Sequence, residues 1–261
     1  MSAPRVLIDD VTKTFTLRHR HSLKELAMAA VTRKDRGTNT FDALRGVDLQ
    51  VHDGETVALL GFNGSGKSTL LKLISGVLRP DRGRVLTRGR VAGLIEVGAG
   101  FHPDLTGREN VYLNGAILGM TRAEIEAAYD SIVHFSEIEQ FMDTEVKFYS
   151  SGMFLRLAFA VAVHSDPDTF LIDEILAVGD EPFQRKCLRR VDELKADGRS
   201  LVIVSHDLDL IPRVCKRGVV LEQGRLVFDG QIAEAVEYMR HHERAAQGED
   251  RANDDEANPS E

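Results

Sequence analysis

Gly61-Phe62-Asn63-Gly64-Ser65-Gly66-Lys67-Ser68-Thr69 fits the spacing G-x-x-x-x-G-K-[ST]. It follows the apolar run TVALL (56–60) and leads into the helix-like TLLKLISGVL (69–78). A buried strand feeding a glycine loop and then a helix is the setting in which this spacing cradles phosphate. The glycines let backbone N–H groups turn inward around phosphate oxygens. The helix start adds partial positive charge at the same place. Lys67 would then reach the β- and γ-phosphates, and the Ser68 hydroxyl would ligate Mg²⁺. A chance match arises in roughly one per cent of chains of this length at average composition, and the flanking elements lower that figure.

Further along, Thr169-Phe170-Leu171-Ile172-Asp173-Glu174 is an apolar run ending in two acids. Such an ending puts carboxylates at the mouth of a sheet, where ligands bind in α/β folds. Asp173 would hold Mg²⁺ through water, and Glu174 would be the general base acting on the attacking water. Alone, the pair reads equally well as a solvated strand end; about 100 residues after a phosphate loop, that reading loses ground. Leu201-Val202-Ile203-Val204-Ser205-His206-Asp207 again sets polar residues directly after a buried strand. His206 could hydrogen-bond a γ-phosphate there, although a satisfied surface histidine is the commoner role for any one His. The other eight histidines, His241-His242 included, are read as surface groups.

The runs VLI (6–8), VDLQV (47–51), Gly218 to Leu221 and Leu226 to Phe228 predict further strands. The runs before Gly61 and Asp173, and LVIV (201–204), lack alternation, as in a parallel sheet covered by helices on both faces. Thr121 with Glu124 forms a capping box ahead of a helix through about Phe135. The stretch from about Asp104 to Ser165 reads mostly helical, and Ile232 to Ala246 has helical spacing. The expected architecture is an α/β core interrupted by a helical insert.

A chain of 261 residues supports one large core, and 43% hydrophobic with 28% charged residues excludes whole-chain disorder. The longest apolar run, Leu157 to Val163, has seven residues, against about 20 for a membrane span. MSAPRVLIDD lacks the apolar region of a secretory signal. Cys187 and Cys215 fit no metal spacing and suit a reduced cytosolic compartment. The net charge of −8 divides into +4 over 16–40, −5 over 241–261 and −7 over the remainder. An acidic body argues against nucleic acid as a partner. Residues 247–261 are acidic, have no aromatic or β-branched residue, and read as a disordered tail.

In this order and spacing, the phosphate loop, the strand ending in Asp173-Glu174 and the post-strand His206 resemble an ATP-binding cassette (ABC) ATPase, over about Val6 to Tyr238. Tyr149-Ser150-Ser151-Gly152-Met153 stands where that family has its LSGGQ signature. Ser150 and Gly152 match its Ser and second Gly; Ser151 replaces the first Gly and Met153 the Gln. The resemblance implies an ABC-type P-loop NTPase over 1–240: a mostly parallel sheet with helices, an antiparallel β region, and a helical subdomain at roughly 104–165. It implies ATP and Mg²⁺ as ligands. It also implies a homodimer of cassettes with ATP at the interface, because the family's signature acts on the nucleotide held by the opposite subunit. A hydroxyl and tight backbone at a helix N-terminus suit that role. Asp180, in Ala177-Val178-Gly179-Asp180, would be the D-loop aspartate. Phe15 in VTKTF would stack on adenine, with Phe41 its rival, since stacking needs only a π face. Glu96 lies nearest the place of the Q-loop glutamine that contacts Mg²⁺ in most cassettes.

YSSGM and the segment Gly93 to Asn110 resemble one subgroup, the ATPase subunits that export polysaccharides across the bacterial inner membrane. The implied partners are two copies of a separate membrane-spanning permease and a lipid-linked polysaccharide. The implied location is peripheral, on the cytoplasmic side of the inner or plasma membrane. An insert after Phe15 carries a capping box, Ser22 with Glu25, and a one-faced helix over roughly 22–34 flanked by basic residues. It is either a surface helix packed on the cassette or a helix meeting anionic head groups. Only about 20 residues follow Tyr238, too few for the carbohydrate-binding sandwich of some members. Arg outnumbers Lys 24 to 9, as in GC-rich genomes, which favours the actinobacterial galactan type over the O-antigen and teichoic acid types. The competing readings are an importer or drug-exporter ATPase and a soluble ABC ATPase of DNA repair or translation. YSSGM and the lack of a clear Q-loop glutamine oppose the first. Missing heptad runs and a missing second phosphate loop oppose the second.

Overall fold

Strand β3 (Thr56–Leu60), which feeds the glycine loop, lies inside a six-stranded sheet in the computed structural model, which describes residues 3–16, 40–94, 100–173 and 180–257. It pairs in parallel with β7 (Ser200–Val204) on one side and β8 (Arg217–Glu222) on the other. Beyond β7 lie β6 (Thr169–Asp173) and β5 (Val91–Leu94), also parallel. A hairpin adds β9 (Arg225–Gln231) antiparallel to β8, so the order is β5-β6-β7-β3-β8-β9.

Both faces are covered, as the unalternated runs indicate. Ala58, Leu60, Phe170, Ile172, Leu201 and Ile203 enter one core, while Val57, Leu59, Leu171, Val202 and Val204 enter another. Side chains do alternate along each strand, but apolar residues on both sides hide the period in the sequence. Each such Leu, Ile or Phe contributes about 1.5–3 kcal/mol on burial. A separate three-stranded antiparallel sheet, in the order β2-β1-β4, consists of β1 (Val6–Thr16), β2 (Thr40–Val51) and β4 (Arg82–Thr87). It shares the second core with α1 (Lys67–Ile74). The sequence reading missed β4 because five of its six residues are exposed and no apolar pattern marks it.

Helices α2 (Gly107–Ile117), α3 (Arg122–Ser136) and α4 (Ser151–His164) build a third core around Val111, Ile125, Ile132, Leu157 and Val161. Thr121 and Glu124 cap α3 reciprocally, as expected; Thr106 and Glu109 do the same for α2. Helix α4 serves two cores. Leu157, Ala160 and Val161 face the helices, and Phe159, Ala162 and Val163 face the sheet. That accounts for the longest apolar run in the chain, since a helix buried all round is apolar all round.

Helix α5 (Glu181–Ala196), the single turn α6 (Ile211–Val214) and α7 (Ile232–Ala257) complete the first core. Helix α7 runs through residues 247–257, which composition read as disordered. Extending an anchored helix needs no new nucleus, and this stretch holds Ala, Glu and Arg, all good helix formers. The expected insert helix (22–34), Glu96 and Glu174 lie outside the described residues.

Candidate nucleotide-binding site

The glycine loop leaves β3 at its C-terminal end and enters α1. Gly61, Gly64 and Gly66 have φ of 144°, 79° and 110°, values that side chains with a Cβ rarely adopt. Two of the three are also walled in. A Cβ on Gly61 would stand 2.3 Å from the Leu221 carbonyl oxygen, and one on Gly66 would stand 2.6 Å from that of Ala43. A Cβ on Gly64 would meet nothing within 4 Å. The loop is thus wedged between β8 and β2 and opens at Gly64. Backbone hydrogen bonds fix the wedge: Gly224 N–H donates to Ser65 O at 3.0 Å, and Arg45 N–H to Gly224 O at 2.8 Å.

Gly66 caps α1 without a side-chain hydrogen bond, and the first turn holds no acid. This arrangement favours an anion at the helix start. Lys67 is buried, and its Nζ donates to Gly61 O at 2.7 Å and to Phe62 O at 3.0 Å. Ser65 is only 5% exposed, and its Oγ has no hydrogen-bond partner. A buried hydroxyl without a partner in this loop fits a site that a phosphate oxygen would complete.

Val204 of β7 pairs with Leu59 of β3 and with Asp173 of β6. Three adjacent parallel strands therefore end together, presenting Gly61, Asp173 and His206 at one edge. With strands about 4.8 Å apart, Asp173 stands about 10 Å from the root of the loop. His206 is exposed in a turn fixed by Asp207, whose Oδ1 accepts from the N–H groups of Asp209 and Leu210 at 3.0 and 2.8 Å. Among the described residues no group of three His, Cys, Asp or Glu could hold a metal by itself. Ser68 is exposed at the start of α1, and Asp173 is the last residue of β6.

Phe15 and Phe41 are direct cross-strand partners in β1 and β2, 37% and 46% exposed. Phe41 is two residues, about 7 Å, along its strand from Ala43, which walls the loop. The two rivals for adenine occupy the same place, so spacing alone could not separate them.

The signature residues lie elsewhere. Ser150 is the N-cap of α4, and its Oγ accepts from Met153 N–H at 3.2 Å. Ser150 and Ser151 are exposed, and a Cβ on Gly152 would meet only Ser150 Oγ, at 3.8 Å. The hydroxyl can still donate its proton to an anion. Helix α4 runs back against the following strand β6, so its N-terminus faces the same edge as the glycine loop. It packs on β5, however, three strands from β3 and about 15 Å to the side. The structure does not bring Ser150, Ser151 and Gly152 to the chain's own loop. Behind the signature, Tyr149 Oη donates to Phe141 O at 2.8 Å, and burial pushes its pKa up to about 12, which keeps it a neutral donor.

Asp180 is the N-cap of α5, accepting from Phe183 N–H at 3.4 Å. Arg156 of α4 donates to the same oxygen at 2.6 Å and to Glu137 at 2.7 Å. The sequence reading missed Arg156 and Glu137; their separation in sequence and lack of any motif gave no signal.

A mixed sheet whose inner strand delivers a closed glycine loop onto a helix defines a nucleotide-binding protein of the P-loop class. The family model described as ABC transporter matches residues 44–177. The chain is 43% identical to the ABC transporter protein AbcA of Aeromonas salmonicida, over 97% of this chain and 80% of that one. It is 41% identical to the O-antigen export system ATP-binding protein RfbB of Klebsiella pneumoniae, over 91% and 98%. It is also 41% identical to the teichoic acids export ATP-binding protein TagH of Listeria innocua, over 78% of this chain and 61% of that longer one. The fold matches a dimeric post-hydrolysis ATP-binding cassette bound to ADP and phosphate, with TM-score 0.69, 24% identity, and 87% and 98% coverage. The chain belongs to the ABC transporter family, as one of its ATP-binding cassettes.

Proposed function

We propose that this chain binds and hydrolyses ATP to drive export of a lipid-linked polysaccharide through a separate membrane subunit. The likeness to RfbB over nearly the whole of both chains carries the transport class, and the closed glycine loop carries the chemistry. The glycan is of the O-antigen, teichoic acid or galactan type.

In this reading the loop N–H groups and Lys67 hold the phosphates. Lys67 trades two carbonyl acceptors for phosphate oxygens, a stronger charge-assisted interaction. Ser68 and Asp173 would hold Mg²⁺, which neutralises phosphate charge when bound. Glu174, directly after Asp173, takes the proton of the attacking water, and His206 donates to the γ-phosphate. Phe15 or Phe41 stacks on adenine.

The signature completes the site of a second copy. The glycine loop follows β3, whereas the helix that Ser150 begins packs on β5, three strands away in the sheet. A two-fold axis between them would place each Ser150 over the other subunit's loop. Asp180 accompanies it. Two ATP molecules would then hold a closed dimer that opens on hydrolysis, and this difference in affinity between states is what moves the permease. We place the cassette at the cytoplasmic membrane surface, docked on two permease copies. Among the described residues no helix is long and apolar enough to cross a membrane.

The test is ATP turnover by the chain reconstituted with its neighbouring permease. Turnover should rise on adding the organism's lipid-linked glycan and vanish in Lys67→Ala. A rate indifferent to such glycans but raised by another substrate class would overturn the assignment.

A further inference from the structure

The helical subdomain, the signature helix and the N-cap of α5 meet at one charged knot. Arg156 projects from α4 with its side chain 17% exposed, and its guanidinium lies 4.5 Å over the ring of Phe183. Its two terminal nitrogens divide between carboxylates, Glu137 at 2.7 Å and Asp180 at 2.6 Å. Lys186 of α5 completes the knot, reaching Glu137 at 2.9 Å and lying 4.7 Å over Phe135.

Glu137 is the C-cap of α3 and has φ 59°, ψ 33°, the left-handed region. Glycine would satisfy that cap without strain. A glutamate there carries a backbone cost, and such outliers persist where the side chain is needed. Here its carboxylate is the bridge between Arg156 and Lys186, which a glycine could not supply.

We propose that Arg156 is a positioning residue for hydrolysis in the opposite subunit. Ser150 begins the helix that carries Arg156, and Asp180 begins α5. Both are elements the closed dimer would present to the partner's nucleotide. A bidentate, always-charged fork can hold two carboxylates in fixed directions, which a lysine cannot. Arg156 thereby keeps Ser150 and Asp180 in one spatial relation while Glu137 ties them to the helical subdomain. The inference rests on the signature acting between subunits, as argued above.

The test uses Arg156→Met, which keeps an apolar stem over Phe183 and removes the fork. ATP binding to the monomer should match wild type, because the glycine loop is untouched. Turnover should fall about 10- to 100-fold, the size of effect expected from misplacing a catalytic element by about an ångström. Mixing Arg156→Met with Lys67→Ala should restore part of the turnover, because one composite site then has an intact loop facing an intact Arg156. Equal loss of ATP binding and turnover, or no recovery on mixing, overturns the proposal. Ser150→Arg mixed with Lys67→Ala is the control. Recovery there without recovery for Arg156→Met rejects the role of Arg156 alone, whereas failure of both rejects the reading between subunits. Should Arg156→Met not fold, Arg156→Lys keeps the cation but can serve one carboxylate only, and the same outcomes decide.

Discussion

Gly61 is pressed against the carbonyl oxygen of Leu221, which leaves 2.3 Å where a Cβ would stand. The neighbouring strand, not only the turn, thus demands glycine at the root of the loop. Gly61→Ala must displace β8 or the loop, at a cost of about 3 kcal/mol. Gly64→Ala meets open space and carries only the strain of positive φ, about 1 kcal/mol. Thermal unfolding of the two variants should rank them in that order. Equal melting temperatures would mean that the loop is not wedged.

Lys67→Ala should abolish nucleotide binding while leaving the fold intact. Two of the hydrogen bonds it loses go to loop carbonyls, each a net contribution of about 1 kcal/mol. Titration with a fluorescent ATP analogue checks the binding and circular dichroism checks the fold. Wild-type affinity in this variant would remove Lys67 from the phosphate site.

Cys187 and Cys215 are buried, and burial pushes both thiols up to about 12. Neither should react with a maleimide at pH 8 in the folded protein, since the thiolate is the nucleophile. Both should react after denaturation. Rapid labelling of the native chain would place one of them at the surface.

Glu137 is held below the ordinary carboxylate value of 4.5 by the Lys186 ammonium, with burial opposing and Arg156 assisting. A lowered carboxylate stabilises the fold above its unfolded value, and that stability is lost as pH falls through the folded value. The gap in melting temperature between wild type and Glu137→Gln should therefore be constant from about pH 8 down to about pH 5. It should close on further acidification. A gap unchanged at about pH 3 would show that the carboxylate charge contributes nothing there.

The parallel sheet and the glycine loop were legible in the sequence because both depend on local composition: unalternated apolar strands and three glycines of positive φ. That Asp173 and His206 stand at one edge was legible because strand ends in a parallel sheet share it. Arg156, Glu137 and Asp180 were not legible as a unit. They are brought together by α4 crossing between two cores, and no spacing records that crossing. Strand β4 escaped because it is an exposed edge strand whose backbone pairing with β1, rather than an apolar face, holds it. The length of α7 escaped because composition reports the solubility of a segment and not its attachment to a helix already formed.

In the proposed dimer the signature of one copy completes the glycine-loop site of another. The most direct test of this is ATP turnover by Ser150→Arg and Lys67→Ala chains, each alone and mixed in equal amounts. Each variant alone should be inactive, since the first blocks the partner's γ-phosphate position and the second lacks the cation at its own. In a mixed dimer, one site joins an intact Lys67 from one chain to an intact Ser150 from the other, and turnover should reappear. A mixture as inactive as its components would contradict a site shared between two chains.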